Sequence, residues 1–375
     1  MKISTHLFFI GVILTPFYFS QSGGIQLSDI FFFSSFLFLI TSKKNYLIFN
    51  ATKRFSSLKY LKFFIFWSFI INIIIYINWF QKNTLLSSIY YIYNYLILLL
   101  FIANFRLGGK FFLVKIYYSF FISLLLVFLV GILNLDYLFS NNDTLRRTVT
   151  FNNPNQLGYW ALMIMTLFFI LKNILSLEKI KYYNILFISS ILMTLYLTII
   201  SLSKAAAISI IFLFIFNSIN NYKILSFLAL ISIAIFSYVE LHEDNIISRI
   251  SHRINDIGEA SDDNLEGRNY DRIWKYKEYL IFGAGEGTVQ ERFEKDNEIH
   301  STFGTIFFSY GIIGLLSFLL FLLQYLKINK YSFITFLIPV LLYGLTHMGL
   351  RSKIFWIILL LVMIHNNIRK KYSNV

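Results

Sequence analysis

A chain of 375 residues that is 57% hydrophobic, 19% aromatic and only 14% charged is too apolar for a soluble domain of that length. Its net charge of +14 could point to nucleic acid, but in so apolar a chain the basic residues first report membrane topology, and no nucleic-acid partner is expected. The absence of cysteine excludes disulfides and thiolate metal sites and leaves the redox compartment open.

Apolar segments of roughly 17 to 24 residues recur along the whole chain, each long enough to cross about 30 Å of hydrocarbon as a helix. They predict an all-α polytopic membrane protein of about 12 transmembrane helices with one long extracytoplasmic loop containing amphipathic helices. In chain order the spans are 6–20, 26–41, 61–79, 85–103, 111–134, 154–171, 184–201, 204–219, 222–239, 302–325, 331–346 and 352–366. The first segment, Leu7 to Ser20, lacks a small-x-small cleavage site and reads as a retained span, not a signal peptide. The chain thus divides into helices 1–9 with short loops (1–239), the long loop (240–300), and helices 10–12 with a tail (301–375).

The connections sort by charge. One side collects Lys2, Lys43, Lys44, Lys53, Arg54, Lys59, Lys62, Arg106, Lys110, Lys115, Lys172, Lys179, Lys181, Lys223, Lys327, Lys330, Arg369, Lys370 and Lys371. By the positive-inside rule that side is cytoplasmic, with both termini on it. The opposite side holds nearly every carboxylate, Glu178 being the exception. A few cations fall there against the insertion bias: Arg146, Arg147, Lys204, Arg351, Lys353, and, in the long loop, Arg249, Arg253, Arg268 and Arg272. Pairing with outer carboxylates or lipid head groups would account for any one of them, and a shared anionic ligand would account for several that converge.

In "NNDTLRRTVTFNNPNQLGYW", Asn152 or Asn153 before Pro154 reads as an N-cap with proline at the first helical position. Two guanidiniums just before a helix N-terminus, where backbone N–H groups are exposed, make a site suited to phosphate. "SLSKAAAISI" is a patch of small residues fit for close helix packing, with Lys204 at a membrane boundary. In "NIISRISHRINDI" and "GRNYDRIWKYKEYLIFGAGEG" the apolar and basic residues recur at helical spacing, which predicts two amphipathic helices on the outer surface, the second carrying Arg268, Arg272 and Lys275 on one face. The glycines of "GAGEG" read as the turn that ends that helix. His300 stands immediately before the tenth span, which Ser301 or Thr302 can cap, and "LTHMGLRSKIFW" offers His347 and Arg351 before the last.

The order of these signatures resembles the O-antigen polymerase and O-antigen ligase superfamily: Asn-Pro-Asn at a span start, Ser-Lys-Ala at another, Arg-x-x-x-Arg-x-Trp running into Phe-Gly-Ala-Gly, and a His closing a long loop before Gly-Ile-Ile-Gly. The resemblance covers about residues 140 to 356 and rests on order and spacing together. It implies a polytopic membrane glycosyltransferase acting on undecaprenyl-pyrophosphate-linked oligosaccharide, as donor and acceptor, at the outer face of the bacterial inner membrane. It also allows for a chain-length regulator as partner. By position, His300 matches the superfamily's loop-terminal histidine, the candidate general base, and Arg147 (in preference to its neighbour Arg146), Arg268 and Arg272 match its pyrophosphate-binding arginines, with Arg272 the catalytic one beside His300. Arg351 matches a basic residue before the last span. The sequence departs from the pattern at Ser301, where asparagine is common, and at Lys204, which cannot make the bidentate contact of an arginine.

This chemistry suits the residues. Cleaving a sugar–pyrophosphate bond leaves negative charge on the leaving group, which guanidiniums stabilise as it grows, and an imidazole can take the proton of an attacking sugar hydroxyl. No metal and no other cofactor is expected, because the first outer loop offers only Asp29 and Asp262-Asp263 lies in a polar patch. The expected activity is repeat-unit polymerisation. A ligase transferring polymer to lipid A-core would use the same residues, and a lipid-linked oligosaccharide flippase is an alternative of another class. A transporter should show internal repeats and glycine- or proline-broken helices with charges at the midplane, and neither is expected here.

Overall fold

The computed structural model of the chain describes residues 3–20, 24–42, 46–49, 55, 57–80, 82–139, 146–175, 182–218, 267–287, 293, 299–328 and 334–372. Among the described residues all regular structure is helical. The elements are α1 (Ile3–Ile13), α2 (Leu27–Ile40), the single turn α3 (Tyr46–Phe49), α4 (Leu58–Trp79), α5 (Lys82–Ile132), α6 (Pro154–Ile174), α7 (Tyr183–Ser201) and α8 (Lys204–Ser218). After the loop come the short α9 (Asp271–Lys275), α10 (Thr302–Ile328), α11 (Ile334–Thr346) and α12 (Lys353–Tyr372). Five helical stretches, in α4, α5, α6, α7 and α10, are long and apolar enough to cross a membrane, and α1, α2, α8, α11 and α12 are shorter apolar helices. The expected ninth span, 222–239, and the helix carrying Arg249 and Arg253 lie outside the described residues.

Element order follows the apolar runs, and the differences have local causes. The first helix stops at Ile13 instead of reaching residue 20, because Pro16 has no N–H to continue the ladder and disfavours a helical residue before it. The rest of the expected span turns to meet another connection, Tyr18 N–H donating to Thr150 O at 3.0 Å. The expected spans 85–103 and 111–134 are the two arms of α5, broken at Gly109. In a straight helix Phe101 and Phe112 would sit about 16 Å apart along the axis. Their rings lie 5.1 Å apart, so the chain doubles back between them, and Phe8 of α1 touches both.

The centre of the bundle is α6, flanked by α12. The apolar stretch of α6 is 89% buried against 33% for α4, and every residue of α12 from Ile354 to Ile364 is buried. Helices apolar all round belong in such positions. Small and polar side chains join the outer helices, as Thr5 does to Asn104 at 2.7 Å and Ser4 to Ser35 at 3.1 Å.

The connections expected on the outer side meet at one end of the bundle. Asn152 donates to Ser20 O, Arg147 N–H to Ile200 O, and Thr302 N–H to His347 O. Below them α10 is broken at Gly311, whose φ of 65° and ψ of −171° interrupt the helix. Backbone carbonyls freed by a break need new partners when water is excluded. Here Ala284 N–H takes Phe308 O at 2.9 Å, Gly285 N–H takes Ser309 O at 2.9 Å, the Trp67 indole takes Tyr310 O at 2.8 Å, and Ile312 N–H turns to Leu280 O at 2.8 Å. The approach is so close that a Cβ at Gly311 would lie 2.1 Å from Ile281 O, and one at Gly283 2.3 Å from Ser309 O. This break, with Pro339 inside α11, corrects the expectation of unbroken spans.

The same docking corrects the second amphipathic helix. Only Asp271–Lys275 is α-helical, followed by a 3-10 turn at Lys277–Tyr279, because the 280–287 segment is drawn into α10 instead of running along a surface. Arg272 accordingly leaves the polar face it was expected to share with Arg268 and Lys275, and is buried, 2% exposed.

Candidate active site at the loop end of the bundle

The N-terminus of α6 is built as the Asn-Pro pair predicts. Asn153 is the N-cap in extended backbone, its side chain accepting from Asn155 N–H at 2.7 Å, with Pro154 as the first helical residue. Asn152 instead reaches the first outer turn. Arg146 is aimed by this cap: its Nη2 donates to Asn155 Oδ1 and its Nε to Ser201 O at 3.1 Å. The Tyr343 hydroxyl donates to Asn155 O at 2.9 Å, which ties the end of α6 to α11.

The C-terminal carbonyls of α11 gather the two ends of the long loop. Helix C-termini leave carbonyls unpaired and favour cations. Arg268 Nη1 donates to Thr346 O at 2.6 Å, Tyr270 OH to Leu345 O at 2.8 Å, and Thr302 gives both its N–H and its hydroxyl to His347 O. His300 N–H donates to Arg268 O at 3.2 Å, while Ser301 caps α10 by accepting from Gly304 N–H at 3.2 Å. Arg146, Arg268 and the exposed His300, from three separate stretches of sequence, therefore meet around His347.

His347 is the hub. Its Nδ1 is 3.0 Å from the Thr346 hydroxyl, and its ring stacks at 4.7 Å on Tyr343, which stacks at 4.2 Å on Tyr159. Burial, then the charges of Arg268, His300 and Arg146, push its pKa down to about 3. It is a neutral imidazole among cations, able to hydrogen-bond a ligand without adding charge.

The other predicted residues are placed differently. Arg147 pairs with Asp136, Nε to Oδ2 at 2.8 Å and Nη2 to Oδ1, and this carboxylate raises the arginine's pKa. Of the two neighbours it is Arg146, not Arg147, that reaches the cluster. Arg272 lies in the loop's own apolar core, its guanidinium 5.3 Å from the centre of the Phe293 ring. Arg351 binds Glu286, and Lys353 binds Asp29 and, at 2.8 Å, Ser28. Lys204 opens α8 half-buried, where the expected close packing holds: a Cβ at Gly158 of α6 would lie 2.7 Å from Ser203 Cβ and 3.0 Å from Ala206 Cβ. Glu286 escaped the sequence reading. Its signal was a lone carboxylate inside an otherwise neutral glycine turn.

No protein-family model matches this sequence, and no curated protein matches it.

Proposed function

We propose that this chain is a metal-independent polysaccharide polymerase that transfers a growing glycan from undecaprenyl pyrophosphate to the terminal sugar of another lipid-linked repeat unit. The observation that carries the reading is the convergence of Arg146, Arg268 and His300 at one end of an apolar helical bundle, beside the N-terminus of α6. In this reading the acceptor hydroxyl attacks the anomeric carbon of the donor glycan, a new C–O bond forms, and the bond to the pyrophosphate oxygen breaks. His300 takes the hydroxyl proton. The lipid pyrophosphate leaves with the bond's electron pair, and Arg146 and Arg268 stabilise the charge growing on it. His347 stays neutral and orients a hydroxyl or phosphate oxygen.

The reading places twelve spans in the bacterial inner membrane, both termini in the cytoplasm, and the cation cluster on the periplasmic side. A deletion strain tests it by gel. A lipopolysaccharide ladder cut to core plus one repeat supports the polymerase. Core alone, with polymer accumulating on the lipid carrier, would make the chain a ligase, and an unchanged ladder would remove both. A flippase draws some support from the Gly311 break. It would be indicated if lipid-linked repeat units accumulate on the cytoplasmic side of the membrane in the deletion strain.

A further inference from the structure

Glu286 has no part in the reaction just described, yet its surroundings are fully built. The side chain is 1% exposed. Arg351 donates to Oε1 through Nε at 3.2 Å and Nη2 at 2.6 Å, while the hydroxyls of Tyr91 and Tyr310 each donate to Oε2 at 2.7 Å. The Glu286 N–H donates to Asn72 Oδ1 at 2.9 Å, and the Asn72 amide in turn reaches Ser88 Oγ at 2.8 Å and the Tyr310 hydroxyl at 3.3 Å. One residue, through its carboxylate and its N–H, thereby joins α4, α5, α10, the turn before α12 and the loop.

Burying a carboxylate and a guanidinium costs desolvation that apolar packing would avoid, so such a pair gains by fixing one geometry. What it fixes here is specific. Glu286 follows Gly285, whose N–H caps Ser309 O at the break of α10, and its partner Arg351 is 25% exposed where Glu286 is not. An anion arriving from outside can meet the arginine but not the carboxylate behind it.

We propose that Glu286 is a positioning residue: it holds the Arg351 guanidinium toward the outer mouth as a pyrophosphate contact and, with the same carboxylate, locks the 280–287 segment into the break of α10. The contact to pyrophosphate rests on the function proposed above; the lock does not.

The sequence has no cysteine, so one introduced thiol reports on the full chain in membranes. Ala284→Cys, at a site 0% exposed, should react slowly with a membrane-impermeant maleimide. Adding Glu286→Gln should raise the labelling rate about tenfold or more, and Glu286→Asp should restore most of the protection. Donor KM should rise equally in Glu286→Gln and Arg351→Gln, with no further rise in the double variant and little change in kcat, which a merely structural role would not produce. Where Glu286→Gln does not accumulate, Tyr310→Phe reads the same lock with a smaller rise in labelling. Unchanged labelling in these variants overturns the lock, and additive KM effects overturn the positioning. A wild-type chain that makes no polymer, but whose Glu286→Gln form shows the labelling rise, upholds the lock and removes the proposed reaction.

Discussion

The cluster around His347 and the interlock around Glu286 both hold arginines and tyrosines at the same end of the bundle. They differ in what holds the cation. Arg146 and Arg268 are oriented by neutral oxygens, the carbonyls of Ser201 and Thr346 and the amide of Asn155, which aim a guanidinium without taking up its charge. Arg351 and Arg147 are held by carboxylates, Glu286 and Asp136, which offset it. Neighbours in sequence can thus be held differently: in the proposed function Arg146 keeps its full charge for a ligand and Arg147 serves the fold, while Arg351, 25% exposed beside a buried carboxylate, is proposed to do both.

The largest test of this contrast is functional. His300→Ala, Arg268→Ala and Arg146→Ala should each lower polymer formation by about 10²- to 10³-fold at normal protein abundance, read by lipopolysaccharide gel and immunoblot. Arg147→Ala should leave the ladder in place, and an equal loss there would erase the distinction. Next in size is the break that docks the loop. Gly311→Ala should cost about 3 kcal/mol from backbone strain alone, because a φ of 65° with ψ near 180° is close to a glycine-only conformation, and the Cβ contact with Ile281 O adds to it. Thermal unfolding in detergent would show it, and an unchanged melting temperature would mean that the loop is not seated in α10.

A third test uses pH. The folded pKa of His347 lies near 3, below its ordinary 6.5, so as pH falls through that window the unfolded chain takes up a proton that the folded chain refuses. Its contribution is therefore fully present above about pH 6.5 and is lost toward pH 3. His347→Gln should flatten this acid limb of stability, and an unaltered limb would mean that burial and the neighbouring cations do not hold His347 neutral. The smallest effect belongs to Arg147 and Asp136. A double-mutant cycle on unfolding should give a coupling of about 1 kcal/mol, as for a partly exposed pair, and zero coupling would return Arg147 to the set of candidate ligands.

These residues show what a sequence can disclose. Helix order was readable because each apolar run must satisfy its own backbone, and the α6 cap was readable because Asn-Pro is a local signal. A shared side groups Arg147, Arg146, Arg268, Arg272 and His300, with Arg147 preferred over Arg146, whereas it is Arg146 that lies with Arg268 and His300. What failed depended on partners far away in sequence. Asp136 claims Arg147 from a preceding turn, and Phe293 claims the guanidinium of Arg272. The regular spacing of 267–280 implied one helix, but its end is claimed by α10: Leu280 O accepts from Ile312 N–H, and just beyond it Ala284 and Gly285 give their N–H groups to Phe308 and Ser309. His347 was in view beside Arg351, with no local signal of its central place, whereas Glu286 offered only its charge among glycines.

The break at Gly311 also bears on how the chain is assembled. The segment that supplies Ala284 and Gly285 precedes α10 in synthesis, and Trp67 precedes it by far more. At its break α10 carries three carbonyls, of Phe308, Ser309 and Tyr310, that take donors from outside their own helix, and lipid offers no such donors. Stable packing of this helix is therefore a late, cooperative event, completed only when the 280–287 segment turns back and closes onto it.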